Sequence, residues 1–95
     1  MKIDRHPDFS KELDTILDYI ALDSFERALE FSSNIENEIK NIPAMPYKCR
    51  KSIHFNNDEI RDLIFKGYTI TYFIDTDKIL ILGILKYKET FLIKS

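Results

Sequence analysis

The chain has 95 residues, of which 44% are hydrophobic, 32% charged and 13% aromatic, and its formal net charge is −2. This composition excludes disordered and collagen-like chains, and the length predicts one domain spanning residues 1–95. The single cysteine, Cys49, excludes an intramolecular disulfide framework. The longest apolar run, residues 79–85, is too short for a membrane span, and residues 1–5 lack a signal-peptide core, so we expect a cytoplasmic protein.

The first quarter of the chain predicts a short strand followed by a helix. Lys2–Arg5 is the candidate strand, and it ends at His6-Pro7 because proline favours the first position of a helix. The apolar residues that follow lie at i, i+4, i+7, i+8 and i+11, which is one helical face: Phe9, Leu13, Ile16, Leu17 and Ile20.

A second amphipathic helix follows almost at once. Ser24 is a candidate N-cap, and Pro43 ends the helix. Its predicted apolar face consists of Phe25, Ala28, Leu29, Phe31, Ile35, Ile39 and Ile42. The connection is so short that the two helices should form an antiparallel hairpin. Neither helix can bury its apolar face on the other alone, so a sheet must cover them.

Three β-rich segments supply that sheet: Ile60–Phe65, Tyr68–Asp75 and Lys78–Lys86, joined by Lys66-Gly67 and by residues 75–77. The last segment is apolar on both faces, as expected of a central strand. The predicted fold class is therefore α+β: an N-terminal strand, a two-helix antiparallel hairpin, then a three-stranded antiparallel meander forming one sheet. Residues 43–59 remain a long loop with a candidate short strand at Lys51–Phe55.

Charge is unevenly distributed along the chain. Residues 1–41 hold five Lys/Arg against ten Asp/Glu, a net −5, whereas residues 42–95 hold nine against six, a net +3. The cations Lys48, Arg50 and Lys51 lie in a stretch without acids, which indicates either a surface that faces a polyanion or an acidic partner, or a solvated loop. A pI near 5.6 argues against strong nonspecific binding of nucleic acid.

Few residues could carry chemistry. Cys49, His6 and His54 lack the spacing of a zinc site, Cys49 and His54 do not by themselves make a catalytic pair, and no glycine-rich phosphate loop exists. We therefore expect no metal, no cofactor and a semi-buried structural cysteine. What remains is a basic and phenolic set that could hold phosphates or transfer a proton: Lys48, Arg50, Lys51, Arg61, Tyr68, Tyr72, Lys86, Tyr87 and Lys88. Against this, Tyr68 and Tyr72 share a strand face with Ile70 and are expected in or near the core.

Four strings in this order resemble the RelE/ParE superfamily of type II toxin–antitoxin toxins. They are Leu17-Asp18-Tyr19-Ile20-Ala21 with Asp23, Ile60-Arg61-Asp62-Leu63, Gly67-Tyr68-Thr69-Ile70-Thr71-Tyr72, and Ile79-Leu80-Ile81-Leu82-Gly83-Ile84-Leu85. The resemblance covers residues 1–88 and is weakest over residues 43–59. It implies a small toxin encoded with an antitoxin that binds it and cancels its activity.

Two mechanisms divide that superfamily. ParE-like members bind and poison DNA gyrase, whereas RelE-like members cut mRNA on the ribosome, using basic residues and a group such as Tyr near the C-terminus. The paired helices and Arg61 are closer to ParE. Thr69, Leu63 and Phe65 stand where RelE-like sequences carry basic residues, although residues 86–89 also lack the His of ParE-like sequences.

The resemblance therefore implies a ParE-like toxin, a non-enzymatic binder whose partners are a cognate antitoxin and a target such as gyrase. The first alternative is a RelE-like mRNA endoribonuclease that meets the ribosome, with Arg61, Lys86 and Tyr87 as catalytic residues. The second is a non-toxic relative that only binds a partner. The residues expected to bind the target or RNA are Lys48, Arg50, Lys51, Arg61, Lys86 and Lys88.

Overall fold

The fold is given by a computed structural model, and the structure describes residues 1–86. Two helices and five strands follow one another in this order: β1 (Lys2–Arg5), α1 (Pro7–Asp23), α2 (Phe25–Asn41), a 3₁₀ turn (Ile42–Ala44), β2 (Arg50–Lys51), β3 (Ile60–Phe65), β4 (Tyr68–Ile74) and β5 (Lys78–Lys86). The predicted α+β class is confirmed, with the N-terminal strand, the helix hairpin and the C-terminal meander all present.

The five strands form one sheet in the order β1-β5-β4-β3-β2. β1 runs parallel to β5, and the other neighbours are antiparallel. β5 is thus an interior strand, as its two apolar faces predicted. The candidate strand Lys51–Phe55 is wrong in its bounds, because the paired residues are Arg50 and Lys51. The Ser52 hydroxyl accepts the His54 N–H at 3.3 Å, which turns the backbone away from the ladder.

Local caps explain where the helices begin and end. His6 Nδ1 accepts the Asp8 N–H at 3.0 Å ahead of Pro7, and Ser24 Oγ accepts the Arg27 N–H at 3.1 Å. Ser24 is both the C-cap of α1 and the N-cap of α2, so a single residue reverses the chain. Neither helix in residues 1–86 combines the length and the apolar character that crossing a membrane needs.

The core lies between the hairpin and one face of the sheet. Its fully buried side chains come from α1, α2, β4 and β5: Phe9, Ile35, Ile39, Ile70, Tyr72, Ile79, Ile81 and Ile84. Two residues of the predicted α2 face lie outside it, since Phe25 is 70% and Leu29 57% exposed. The predicted stripe was wider than the buried face, and α2 instead buries Ala28, Ile35 and Ile39 at i, i+7 and i+11.

Two irregularities shape the meander. Lys66 (φ 47°) and Gly67 (φ 83°) both have positive φ, which makes the tight β3–β4 turn that the sequence predicted. Between β4 and β5 the register shifts, because Thr71 lies opposite Gly83 whereas Tyr72 lies opposite Ile81. Leu82 is therefore the extra residue of a β-bulge.

Candidate functional site

An open groove runs between α1 and the exposed part of β5. It has a volume of about 520 Å³ and is lined by Glu12, Thr15, Ile16, Tyr19, Tyr68, Ile84, Leu85 and Lys86. The groove exists because β1 is short. Its last residue, Arg5, pairs with Ile81, so no strand covers the edge of β5 beyond that point in residues 1–86.

The Glu12 carboxylate closes one end of this groove. Glu12 Oε1 accepts the Ile84 N–H at 2.9 Å, two residues beyond the bulge at Leu82. A Cβ added to Gly83 would lie 2.9 Å from the same oxygen, so a side chain there would push the Glu12 carboxylate aside. Glu12 thereby satisfies an edge amide that would otherwise need water or an added strand.

The rest of the groove is mostly apolar, with the exposed Lys86 at its far end. Such a surface lies beside a strand edge that no strand within residues 1–86 covers, and it suits a protein segment, either as an amphipathic helix or as an added strand. Tyr68 closes the floor, half-buried and packed edge-on against Phe31 at 5.3 Å between ring centroids.

A second cluster ties the loop of residues 43–59 to β3. The Arg61 guanidinium donates from Nε to the Asp58 carbonyl at 2.9 Å and from Nη1 to the Cys49 carbonyl at 3.1 Å. It also lies over the Tyr47 ring, 4.9 Å from the centroid. Three contacts with three loop residues make Arg61 the centre of this cluster.

Neighbouring charges reinforce the same loop. Lys51, directly opposite Arg61, binds the Asp58 carboxylate at 2.8 Å, and this hydrogen bond lowers the pKa of Asp58. The Tyr47 hydroxyl donates to the Glu59 carboxylate, which raises the pKa of Tyr47. Lys48 is exposed in the same loop.

Tyr72 lies below this loop and is fully buried, which confirms the prediction that it belongs to the core. Its hydroxyl donates to the Pro46 carbonyl at 2.6 Å. Burial raises the pKa of Tyr72 far above its ordinary value, so the phenol stays protonated. Cys49 is half-buried at the core boundary, as predicted for a structural cysteine.

Arg50 belongs to the opposite face of the sheet. Arg50 pairs in register with Asp62. Because successive side chains of a strand point to opposite faces, Asp62 and its partner Arg50 lie on the face opposite to Arg61. The buried Asp62 carboxylate accepts from Thr71 Oγ1 at 2.9 Å and from Arg50 Nη2 at 3.4 Å.

The residues predicted to act on RNA are therefore divided among three places. Arg61 on β3 lies opposite Tyr72 of β4, and Lys86 on β5 lies opposite Tyr68 of β4. Arg61 and Lys86 are therefore separated by four residues along the strand direction and by two inter-strand spacings across the sheet. At about 3.3 Å per residue and about 4.8 Å per strand, their Cα atoms are roughly 16 Å apart. Tyr87 and Lys88 lie outside the described residues. Within residues 1–86, no three His, Cys, Asp or Glu side chains form a group that could hold a metal ion.

Sequence reasoning missed Glu12, and it treated Asp62 only as part of a resemblance. The sequence signal for the Glu12 contact was Gly83, because a glycine inside an apolar strand indicates a β-bulge or the close approach of another group to the strand. Nothing local marks Asp62 as buried, since its partners Thr71 and Arg50 come from two other strands.

Comparison with known proteins adds a family to this geometry. The family model described as "ParE toxin of type II toxin-antitoxin system, parDE" matches residues 3–91. No curated protein matches the sequence.

Among solved structures, the chain is similar to one from the "Chromosomal ParDE TA system from P. aeruginosa", with a TM-score of 0.74 and 20% identity over 90% of this chain and 95% of that one. It is also similar to the conserved hypothetical protein HP0894 from Helicobacter pylori, with a TM-score of 0.53 and 15% identity over 92% and 94% of the two chains. At these identities the structural likeness concerns the fold alone.

Proposed function

The chain belongs to the ParE toxin family of type II toxin–antitoxin systems, and on that premise we propose that it inhibits growth by binding a cellular target, with DNA gyrase as the candidate. A cognate antitoxin cancels this activity by occupying the toxin. The RelE-like alternative, cleavage of mRNA on the ribosome, needs a catalytic set that the described residues do not bring together.

The observation that carries the choice between the two is the position of Arg61. A phosphate-holding cation and a proton-transferring group must both come within hydrogen-bond distance of one phosphodiester. Arg61 is engaged by Asp58, Cys49 and Tyr47, and its Cα lies roughly 16 Å from that of Lys86. This arrangement favours a protein-binding toxin over a ribonuclease built on Arg61 and Lys86.

The groove between α1 and β5 is our candidate for the antitoxin. Its apolar lining offers area to bury, and within residues 1–86 no strand pairs with this edge of β5 beyond Ile81, so an added strand has room there. Lys86 favours an acidic residue of the antitoxin at that end.

The proposed target is tested with purified protein in two parallel assays. We expect inhibition of ATP-dependent supercoiling by gyrase and no cuts in mRNA on translating ribosomes. Cleavage within translated codons, abolished by Lys86→Gln, would replace this proposal with the ribonuclease.

The antitoxin site is tested by coexpression with the product of the adjacent gene. We expect a complex that copurifies at moderate salt and that Tyr19→Glu weakens by about tenfold or more, because a charge then enters the apolar groove. Ile53→Ser is the matched control, since Ile53 is 71% exposed and belongs to the loop. A complex weakened equally by both changes would place the antitoxin elsewhere.

A further inference from the structure

The turn end of the helix hairpin exposes three large apolar side chains. Leu22 is 85%, Phe25 70% and Leu29 57% exposed. Phe25 and Leu29 are neighbours on α2 at i, i+4, and Leu22 precedes Phe25 across the one-residue turn at Ser24. We name these three residues the hairpin-end patch. Exposed apolar side chains grouped in this way mark sites of protein interaction.

Four carboxylates surround the hairpin-end patch in sequence: Asp18, Asp23, Glu26 and Glu30. None of them makes an ion pair within residues 1–86, whereas Glu36 and Asp58, elsewhere in the structure, are paired with Arg5 and Lys51. Arg27 is the only cation between positions 18 and 30. The patch therefore combines exposed apolar area with uncompensated negative charge.

This charge decides which occupants are compatible. A second copy meeting the patch symmetrically would bring like carboxylates together, which opposes association. Anionic lipid surfaces and nucleic acids are repelled for the same reason. A segment carrying Lys or Arg beside apolar anchors complements both features.

The backbone at the patch decides the conformation of that segment. The patch lies on two helices whose interior amides and carbonyls bond within each helix, so it offers no strand edge. An extended segment would find only the few unpaired groups of the helix ends there and no strand ladder to join, whereas a helix satisfies its own backbone groups.

We propose that the hairpin-end patch docks a basic amphipathic helix of a partner protein, with Leu22, Phe25 and Leu29 as the anchoring side chains. The surface is separate from the α1–β5 groove, whose lining does not include these three residues. It does not depend on the target or the antitoxin proposed above.

The test uses a defined probe, a labelled peptide of about 18 residues, roughly five helical turns. Leucines at i, i+3, i+4 and i+7 form one face, and Lys and Arg fill the other. A matched peptide carries Glu in place of Lys and Arg. Fluorescence anisotropy with the full chain should give saturable binding of the basic peptide, weakened at high salt, and none of the acidic one.

Two sets of variants locate the binding. Leu22→Gln and Phe25→Gln keep good helix formers on exposed positions, and each should weaken binding about tenfold. Glu26→Gln with Glu30→Gln should weaken binding and reduce its salt dependence, whereas Ile64→Thr, an exposed position on β3, should change neither. Circular dichroism of each variant separates loss of binding from loss of fold.

Absence of saturable binding, equal binding of the two peptides, or full binding by Leu22→Gln and Phe25→Gln would overturn the proposal. Analytical sedimentation of the chain alone tests whether a second copy of the chain occupies the patch instead. A dimer that Phe25→Gln dissociates would assign the patch to a second copy and likewise overturn it.

Discussion

Replacing Arg61 distinguishes a structural arginine from a catalytic one. In this structure the guanidinium holds the loop of residues 43–59 against β3 through the carbonyls of Asp58 and Cys49 and the ring of Tyr47. Arg61→Ala removes all three contacts at once. Arg61→Lys keeps the charge but cannot reach two carbonyls with one fork of donors.

The expected cost follows from those contacts. The half-buried hydrogen bond to Cys49 contributes about 1.5 kcal/mol, the low end for a charged donor. The exposed one to Asp58 contributes only about 0.5 kcal/mol, because solvent competes for the guanidinium. The contact with the exposed Tyr47 ring adds about 0.5–1 kcal/mol. Arg61→Ala should therefore lower the free energy of unfolding by about 2–3 kcal/mol, or Tm by roughly 10–20 °C for a domain of this size. Arg61→Lys should lose about half of that.

Urea and thermal unfolding followed by circular dichroism measure this cost directly. The matched control is Arg27→Gln, because the Arg27 side chain is exposed and makes no hydrogen bond or ion pair within residues 1–86. It should change stability by less than about 0.5 kcal/mol. If Arg61→Ala were as stable as the Arg27 control while RNA cleavage disappeared, the structural role would be refuted and the catalytic role supported.

Two further predictions concern Glu12 and Glu36. Gly83→Ala should lower the free energy of unfolding by about 1 kcal/mol, because the new Cβ displaces the Glu12 carboxylate from the Ile84 N–H. In a double-mutant cycle, the same change made in the Glu12→Ala background should have no such cost. Additive effects in urea unfolding would contradict this coupling. The hydrogen bond from Arg5 lowers the pKa of Glu36 from its ordinary 4.5, so the pair stabilises the fold above that pH and loses its contribution as the pH falls below it. Both side chains are partly exposed to solvent, so Glu36→Gln should reduce the loss of stability between neutral pH and pH 3 by less than about 1 kcal/mol. An unchanged pH profile of unfolding would show that the pair contributes nothing.

Local signals in the sequence were sufficient for the helices and for most of the sheet. The spacing of Phe9 and Leu13, the cap at Ser24 and the turn at Lys66-Gly67 each depend on residues a few positions apart, and each is present in the structure. The interior position of β5 followed from its two apolar faces.

What could not be predicted depends on contacts between distant segments. The bulge at Leu82 is coupled to Glu12, 70 positions earlier, and no local pattern announces it. The exposure of Phe25 and Leu29 depends on how far α2 is rotated against the sheet. The basic residues likewise looked like one set in the sequence, because their distribution over both faces and both ends of the sheet is set by strand register.

Pulse-labelling of DNA, RNA and protein synthesis after induction in a bacterial host tests the central claim most directly, with and without the coexpressed product of the adjacent gene. We expect DNA synthesis to fall first, with a DNA-damage response, and coexpression to restore it. If protein synthesis falls first and mRNA is cut within translated codons, the ribonuclease reading replaces this one. Folded protein with no effect on growth would leave a chain that only binds its partner.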